Sequence, residues 1–252
     1  MVANIYLFLF GLITGSFYNV CIYRLPKGQN IVSKPSACRK CKKKIKWYEN
    51  IPIISYLALQ GKCSQCKKII SPQYPLVELI TGLIFLYSYS LYGLSLHFAA
   101  LTILLSSLLI IFFTDLNEYL ILDVITLPMT CVGLLITVIN QNPFNLTIID
   151  SVSGAVIGYL VLYSIRWYYL KLRKIEGMGL GDAKLLLMLG AWLGIKSILF
   201  ILIVSSISAL LISIPIVIIK KNSKYPIPYG CFIVFAAFLY TLLGDSFYKF
   251  IL

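Results

Sequence analysis

The chain has 252 residues, of which 60% are hydrophobic and only 12% charged, with a mean hydropathy of +0.89; this excludes a protein with a water-soluble surface. Twenty-two Lys and Arg against nine Asp and Glu give a net charge of +13, but the cations gather in one stretch instead of covering a globular face, which argues against nucleic acid as a partner. Apolar runs of roughly 20 residues, enough to cross about 30 Å of hydrocarbon, recur along nearly the whole chain. Such spans must satisfy their backbone groups internally, so the expected fold is an all-α polytopic membrane protein.

The first apolar segment, about 5–23, has no charge before it and dense positive charge after it, the reverse of a cleavable signal peptide. It reads as a retained span with its N-terminus outside, and its small residues Gly11, Gly15 and Ser16 suit close helix packing. The next stretch, 24–73, is the one place for a polar module and is expected in the cytoplasm. It carries Arg24, Lys27, Lys34, Arg39, Lys40, Lys42, Lys43, Lys44, Lys46, Lys62, Lys67 and Lys68, with Glu49 the only acid. A topology signal attracted to anionic lipid is the favoured reading, and a specific binding surface the alternative.

Within that module stand Cys38-Arg39-Lys40-Cys41 and Cys63-Ser64-Gln65-Cys66, two C-x-x-C pairs separated by 21 residues. Two thiolates two residues apart in a tight turn can face one ion, and two such knuckles complete a tetrahedron, the pattern of a structural zinc site. Surrounding lysines favour the thiolate form. Two disulfides are the competing reading, disfavoured in a reducing cytoplasm. Cys21, Cys131 and Cys231 lie in or beside apolar spans and read as inert packing residues.

Seven more apolar segments come after it, at about 76–92, 97–114, 123–140, 148–166, 180–195, 197–219 and 228–248, making about eight transmembrane helices with a small zinc-binding cytoplasmic loop domain after the first. The segment 180–195 is short, which suits a tilted or re-entrant element. The links expected in the cytoplasm hold Arg166, Lys171, Arg173 and Lys174 in one case and Lys220, Lys221 and Lys224 in another, whereas those near Gly93 and 140–145 hold no cation.

A carboxylate within a span costs on the order of 3 kcal/mol, so each acid near a span asks for a reason. Asp115 falls at the expected cytoplasmic end of the third span and Asp182 at the cytoplasmic start of the sixth. Two carboxyls brought together on one face cannot both ionise and can act as base and acid on either side of a water, the aspartic-protease arrangement. Alternatively each caps a helix or reaches the headgroups. Gly177, Gly179 and Gly181, immediately before Asp182, permit positive φ and the close approach of an extended peptide. Asp123 is a further candidate with a capping or supporting role, and Glu78 either faces a polar cavity or reaches out of the bilayer. His97, the single histidine, is expected on the outer side, away from these acids.

Taken together, these residues resemble the type IV prepilin peptidases, also called prepilin leader peptidase/N-methyltransferases. The resemblance rests on Gly15-Ser16-Phe17-Tyr18-Asn19-Val20 with Tyr23-Arg24-Leu25-Pro26, the paired C-x-x-C, and the run from Trp47 to Tyr56. It continues through Tyr74-Pro75-Leu76-Val77-Glu78, Asp115-Leu116 with Asp123-Val124-Ile125-Thr126-Leu127-Pro128, and Gly177-Met178-Gly179-Leu180-Gly181-Asp182-Ala183-Lys184-Leu185. It departs at Leu122, where the family often has proline, and at Tyr18, where an aliphatic residue is commoner.

The resemblance implies a bacterial cytoplasmic-membrane enzyme that cleaves the short basic leader from prepilins or pseudopilins, with Asp115 and Asp182 catalytic and Gly179, Gly181, Asp123 and Lys184 around them. It also implies methylation of the new N-terminal residue with S-adenosylmethionine. No Gly-x-Gly-x-x-Gly follows an expected strand, so that donor would not sit in an ordinary nucleotide-type fold; Glu78 is a candidate contributor to its site. The organisation read from the sequence is a first helix over 1–23, the zinc-binding loop with the implied methyltransferase part over 24–73, and a bundle over 74–252 with the peptidase core at about 100–220. Rival readings are a proton-coupled transporter, in which Asp115, Asp182 and Glu78 would form a relay, and a non-enzymatic assembly factor with a partner-binding zinc loop.

Overall fold

The computed structural model describes residues 2–32, 35–174, 179–220 and 226–251; Lys34, Gly177, Lys221 and Lys224 lie outside them. Every long apolar run becomes helix. Among the described residues the α-helices are α1 (Val2–Arg24), the one-turn α2 (Ile54–Ala58) in the loop, α3 (Gln73–Tyr92), α4 (Leu96–Glu118), α5 (Asp123–Val138), α6 (Ile148–Arg173), α7 (Leu180–Lys220) and α8 (Tyr229–Ile251). Helices α1, α3, α4, α6 and α7 are long and apolar enough to cross a membrane, and α5 and α8 contribute shorter apolar stretches.

The 41-residue α7 is two helices. Gly194 breaks it at φ 78°, ψ 175°, and the contacts with α6 fix the direction of the break. A Cβ on Gly158 would lie 2.7 Å from the Leu186 carbonyl oxygen and 2.9 Å from Ile198 Cδ1, yet twelve residues of continuous helix would hold Leu186 and Ile198 about 18 Å apart. The chain therefore turns back on itself at Gly194. Counting both arms, the described residues contain eight apolar helical segments, in agreement with the sequence. The first arm, Leu180 to Leu193, is about 21 Å long, the short segment anticipated at 180–195.

A reversal among apolar side chains strips carbonyls of their helical partners, and no water is at hand to replace them. Side chains do so instead: Ser151 Oγ donates to the Ala191 carbonyl and Asn142 Nδ2 to that of Trp192 at 3.2 Å. The Trp192 indole, fully buried, donates to the Met129 carbonyl at 2.7 Å and lies against Gly133, tying α5 to the same turn.

The chain divides into two units, Met1–Ser106 and Ser107–Leu252. In the first, α1 and α3 pack backbone to backbone: a Cβ on Gly11 would lie 2.7 Å from Gly82 Cα, and one on Gly15 2.7 Å from Glu78 Cα. This is the small-residue contact expected of Gly11 and Gly15. In the second, α6 and the first arm of α7 meet at Gly154 and Gly190, where a Cβ on Gly190 would collide with the Gly154 carbonyl.

Gly190→Val is expected to lower stability by about 1–3 kcal/mol through overpacking of the α6/α7 contact. A depressed midpoint in detergent thermal unfolding checks it, and an unchanged midpoint would contradict this account of the glycines.

Candidate functional site

Asp115 occupies the last turn of α4 and is 5% exposed; Asp182 occupies the first turn of α7 and is 8% exposed. Although 67 residues apart in sequence (182 − 115), the two carboxyls are close enough to interact electrostatically. Asp115 Oδ2 accepts the backbone N–H of Cys231 at 3.0 Å, in the first turn of α8, where unpaired amides and the positive end of the helix dipole face a carboxylate. The Asp182 carboxyl takes the backbone N–H of Gly179.

Ile121, in the link between α4 and α5, joins the helix starts around them. A Cβ on Gly181 would lie 2.9 Å from Ile121 Cβ, and one on Gly230 would lie 2.8 Å from both Ile121 Cδ1 and Asp115 Oδ2. A side chain at either glycine would crowd Ile121 or the Asp115 carboxyl. Lys184 Nζ and Asp123 Oδ2 form a 2.6 Å ion pair between α7 and the start of α5, with Asp123 54% exposed.

Sequence reasoning missed Ile121, Gly230 and Cys231. It placed Cys231 among inert packing residues, whereas its amide holds Asp115, and its thiol donates to the Phe112 carbonyl at 3.3 Å. The usable signal was the run Pro226-Ile227-Pro228 ahead of Gly230, which marks a helix start.

In the N-terminal unit the Sγ atoms of Cys38, Cys41, Cys63 and Cys66 all lie within 4.8 Å of one another, a cluster able to hold a metal ion. The Cys38–Cys66 and Cys41–Cys63 Sγ separations are 3.9 and 4.0 Å. They far exceed the length of a disulfide bond and match the sulfur–sulfur edge of about 3.8 Å expected of a tetrahedron with metal–sulfur bonds near 2.3 Å. The two knuckles share one backbone pattern. Cys38 N–H donates to Lys43 O and Lys42 N–H to Cys38 O, while Cys63 N–H donates to Lys68 O and Lys67 N–H to Cys63 O. Lys42 and Lys67, one residue past the second cysteine of each pair, both adopt positive φ, 61° and 55°.

The amides of Cys66 and Gln65 hold the Cys63 thiol down to about 6, within the thiolate range at neutral pH. Lys43 ties the knuckles together, donating to Ser64 Oγ at 2.8 Å and pairing with Glu49 at 3.4 Å. The Ser64 hydroxyl, the Lys46 amide and Lys43 hold the Glu49 carboxyl down to about 2.

Glu78, in α3, is 7% exposed and faces inward. It hydrogen-bonds Ser16 of α1 and accepts the Ile53 N–H at 2.8 Å. Beside it α1 and the loop line an open cleft of about 650 Å³ whose residues include Ser16, Phe17, Arg24, Trp47, Asn50 and Ile54.

Residues 9–92 match the family model described as Bacterial Peptidase A24 N-terminal domain, and residues 102–214 match that of the Type IV leader peptidase family. Among curated proteins, the chain is 38% identical over 264 residues to the prepilin leader peptidase/N-methyltransferase of Pseudomonas aeruginosa, covering 94% of this chain and 89% of that one. The protein of the same name from Stutzerimonas stutzeri is 38% identical over 262 residues, with the same coverage. That from Klebsiella pneumoniae is 40% identical over 210 residues, covering 81% of this chain and 91% of its own. No solved structure matches the chain.

Replacing Cys38 and Cys63 together by serine is expected to abolish tight binding of a thiophilic divalent ion. Metal analysis of the purified protein checks this; an unchanged metal content would rule the cluster out as a metal site.

Proposed function

Because the chain belongs to the type IV leader peptidase family, we propose that it cleaves the leader from prepilins or pseudopilins at the cytoplasmic face of the bacterial inner membrane, with Asp115 and Asp182 as the catalytic pair, and then methylates the new N-terminal residue. The observation that carries the catalytic assignment is the meeting of two buried carboxyls from distant helices. In the mechanism two such carboxyls support, one removes a proton from a water as its oxygen attacks the scissile carbonyl, and the other, protonated, donates to the developing oxyanion. Neither a metal nor a covalent intermediate is needed.

Gly179 and Gly181 leave room for an extended peptide beside Asp182. The Lys184–Asp123 pair holds the starts of α7 and α5 in register around it. The cytoplasmic orientation rests on charge: the end of α6 and the link before α7 carry Lys171, Arg173 and Lys174, and the end of α7 and the link before α8 carry Lys220, Lys221 and Lys224, ahead of the helix starts that hold Asp182 and Cys231. A relay of the transporter type would place its acids near mid-helix, whereas Asp115 and Asp182 stand at helix ends.

The four cysteines suit zinc in a structural role, since four protein ligands close the tetrahedron and leave no position for substrate. Zinc would hold a basic loop that has little core of its own against anionic headgroups. S-adenosylmethionine supplies an electrophilic methyl group when bound, and the cleft beside the loop, with its indole, amide, hydroxyl and guanidinium groups, fits that molecule chemically.

Asp115→Asn and Asp182→Asn are each expected to reduce cleavage of a prepilin-like peptide in detergent by on the order of 10³-fold or more. Persisting cleavage in either variant would refute the paired-carboxyl mechanism. Lys184→Met should lower kcat about tenfold by freeing the start of α7, and a rate equal to wild type would remove Lys184 from the site.

A further inference from the structure

Ile53 has φ 59° and ψ −51°, and its neighbours close around it with a hydrogen bond from Ile54 N–H to the Pro52 carbonyl. That is a γ-turn of the rare, strained hand, here on a β-branched residue, the type least suited to positive φ. Strain of this kind persists where surrounding structure enforces it, and it gathers at functional sites.

The enforcing group is visible. The Glu78 carboxylate, buried in α3, accepts the Ile53 N–H at 2.8 Å and is steadied by Ser16 of α1. A buried acid is expensive in a membrane helix, and this one serves neither the carboxyl pair nor the thiolate cluster. It holds the strained turn that places Asn50, Ile51 and Ile54 along one wall of the 650 Å³ cleft. On the other wall Arg24 donates to the carbonyls of Asn30 and Pro35 at 3.2 and 3.1 Å, fixing the opposite lip.

The cleft lining mixes apolar and polar groups. One end follows an apolar strip of α1 from Leu9 through Ile13 to Phe17, all three at least 46% exposed. Toward the loop the lining adds the polar Ser36 and Asn50 to its apolar residues, together with Trp47, a residue 81% exposed. An open aromatic face binds a purine by stacking and a sulfonium by cation–π attraction. An apolar strip parallel to a membrane helix suits a membrane-embedded peptide that ends in an amine. A reaction joining a water-soluble sulfonium donor to a membrane-bound acceptor needs both ends in one cavity.

We infer that this cleft is the methyl-transfer site, with the donor at the Trp47 end and Glu78 as the positioning residue that holds its wall through the turn at Ile53; the inference rests on the methyltransferase reading above. In the transfer the neutral N-terminal amine, its proton already lost to water through the open cleft, attacks the methyl carbon. An N–C bond forms as the C–S bond breaks, the electron pair returns to sulfur as the thioether S-adenosylhomocysteine, and the positive charge passes to the methylated ammonium.

Equilibrium dialysis of full-length protein in nanodiscs against radiolabelled S-adenosylmethionine tests this, with zinc content as the folding control. Trp47→Ala, at an exposed position, should weaken binding at least tenfold, and Glu78→Ala should do the same. Glu78→Gln, which keeps an acceptor for the Ile53 N–H, should stay within about threefold of wild type. Because glycine adopts positive φ without strain, adding Ile53→Gly to Glu78→Ala should recover at least threefold of the lost affinity. Wild-type affinity in both Trp47→Ala and Glu78→Ala would overturn the site, and no recovery in the double variant would overturn the positioning role. Failure of the wild type itself to bind the donor or methylate a cleaved prepilin would instead overturn the methyltransferase reading, and the site with it.

Discussion

The C-terminal unit turns on the problem of holding a carboxylate at a membrane-helix end with almost no water. Asp115 is 5% exposed, and its Oδ2 finds its donor in the backbone of another helix, the Cys231 amide at the start of α8. Helix starts are where unpaired N–H groups occur, so the same contact satisfies an orphan donor and a buried acceptor. A Cβ on Gly230 would crowd that carboxyl. Asp182 meets the same requirement locally, through the Gly179 amide. The carboxyl pair is therefore a consequence of where three helices end or begin.

Those helix ends depend in turn on the reversal at Gly194. With both arms of α7 packed on α6, Gly154, Gly158 and Gly190 allow backbones to approach to distances no side chain would permit. Close approach maximises packing where lipid offers no hydrophobic drive. Ser151 and Asn142 then satisfy the carbonyls the turn leaves open, so polar side chains that look misplaced in apolar segments are the condition for the turn.

The N-terminal unit solves a different problem, how to order a basic loop with little core. It uses two anchors. The cysteine cluster brings its two knuckles together, with the Lys43 bridge to Ser64 and Glu49 beside it. Glu78 pins the strained segment after Trp47–Asn50 to the membrane helices. Together they turn a flexible polycation into a wall for a cleft.

Much of this was legible in the sequence because it rests on local chemistry. Helix content follows from apolar run length, since lipid admits no unpaired backbone; the thiolate cluster follows from C-x-x-C spacing, since a two-residue gap brings two sulfurs to one ion; and Asp115 and Asp182 stand out because an acid in an apolar span is costly. What tertiary structure alone decided involves partners far apart in the chain: Cys231 holding Asp115 across 116 residues, Trp192 reaching Met129 across 63, and Glu78 seizing Ile53 across 25. Periodicity and spacing report which residues are costly to bury, but not which distant backbone amide offsets that cost. That choice is made only when helices pack, because a backbone N–H carries no residue-type signature until the fold places it beside an acceptor.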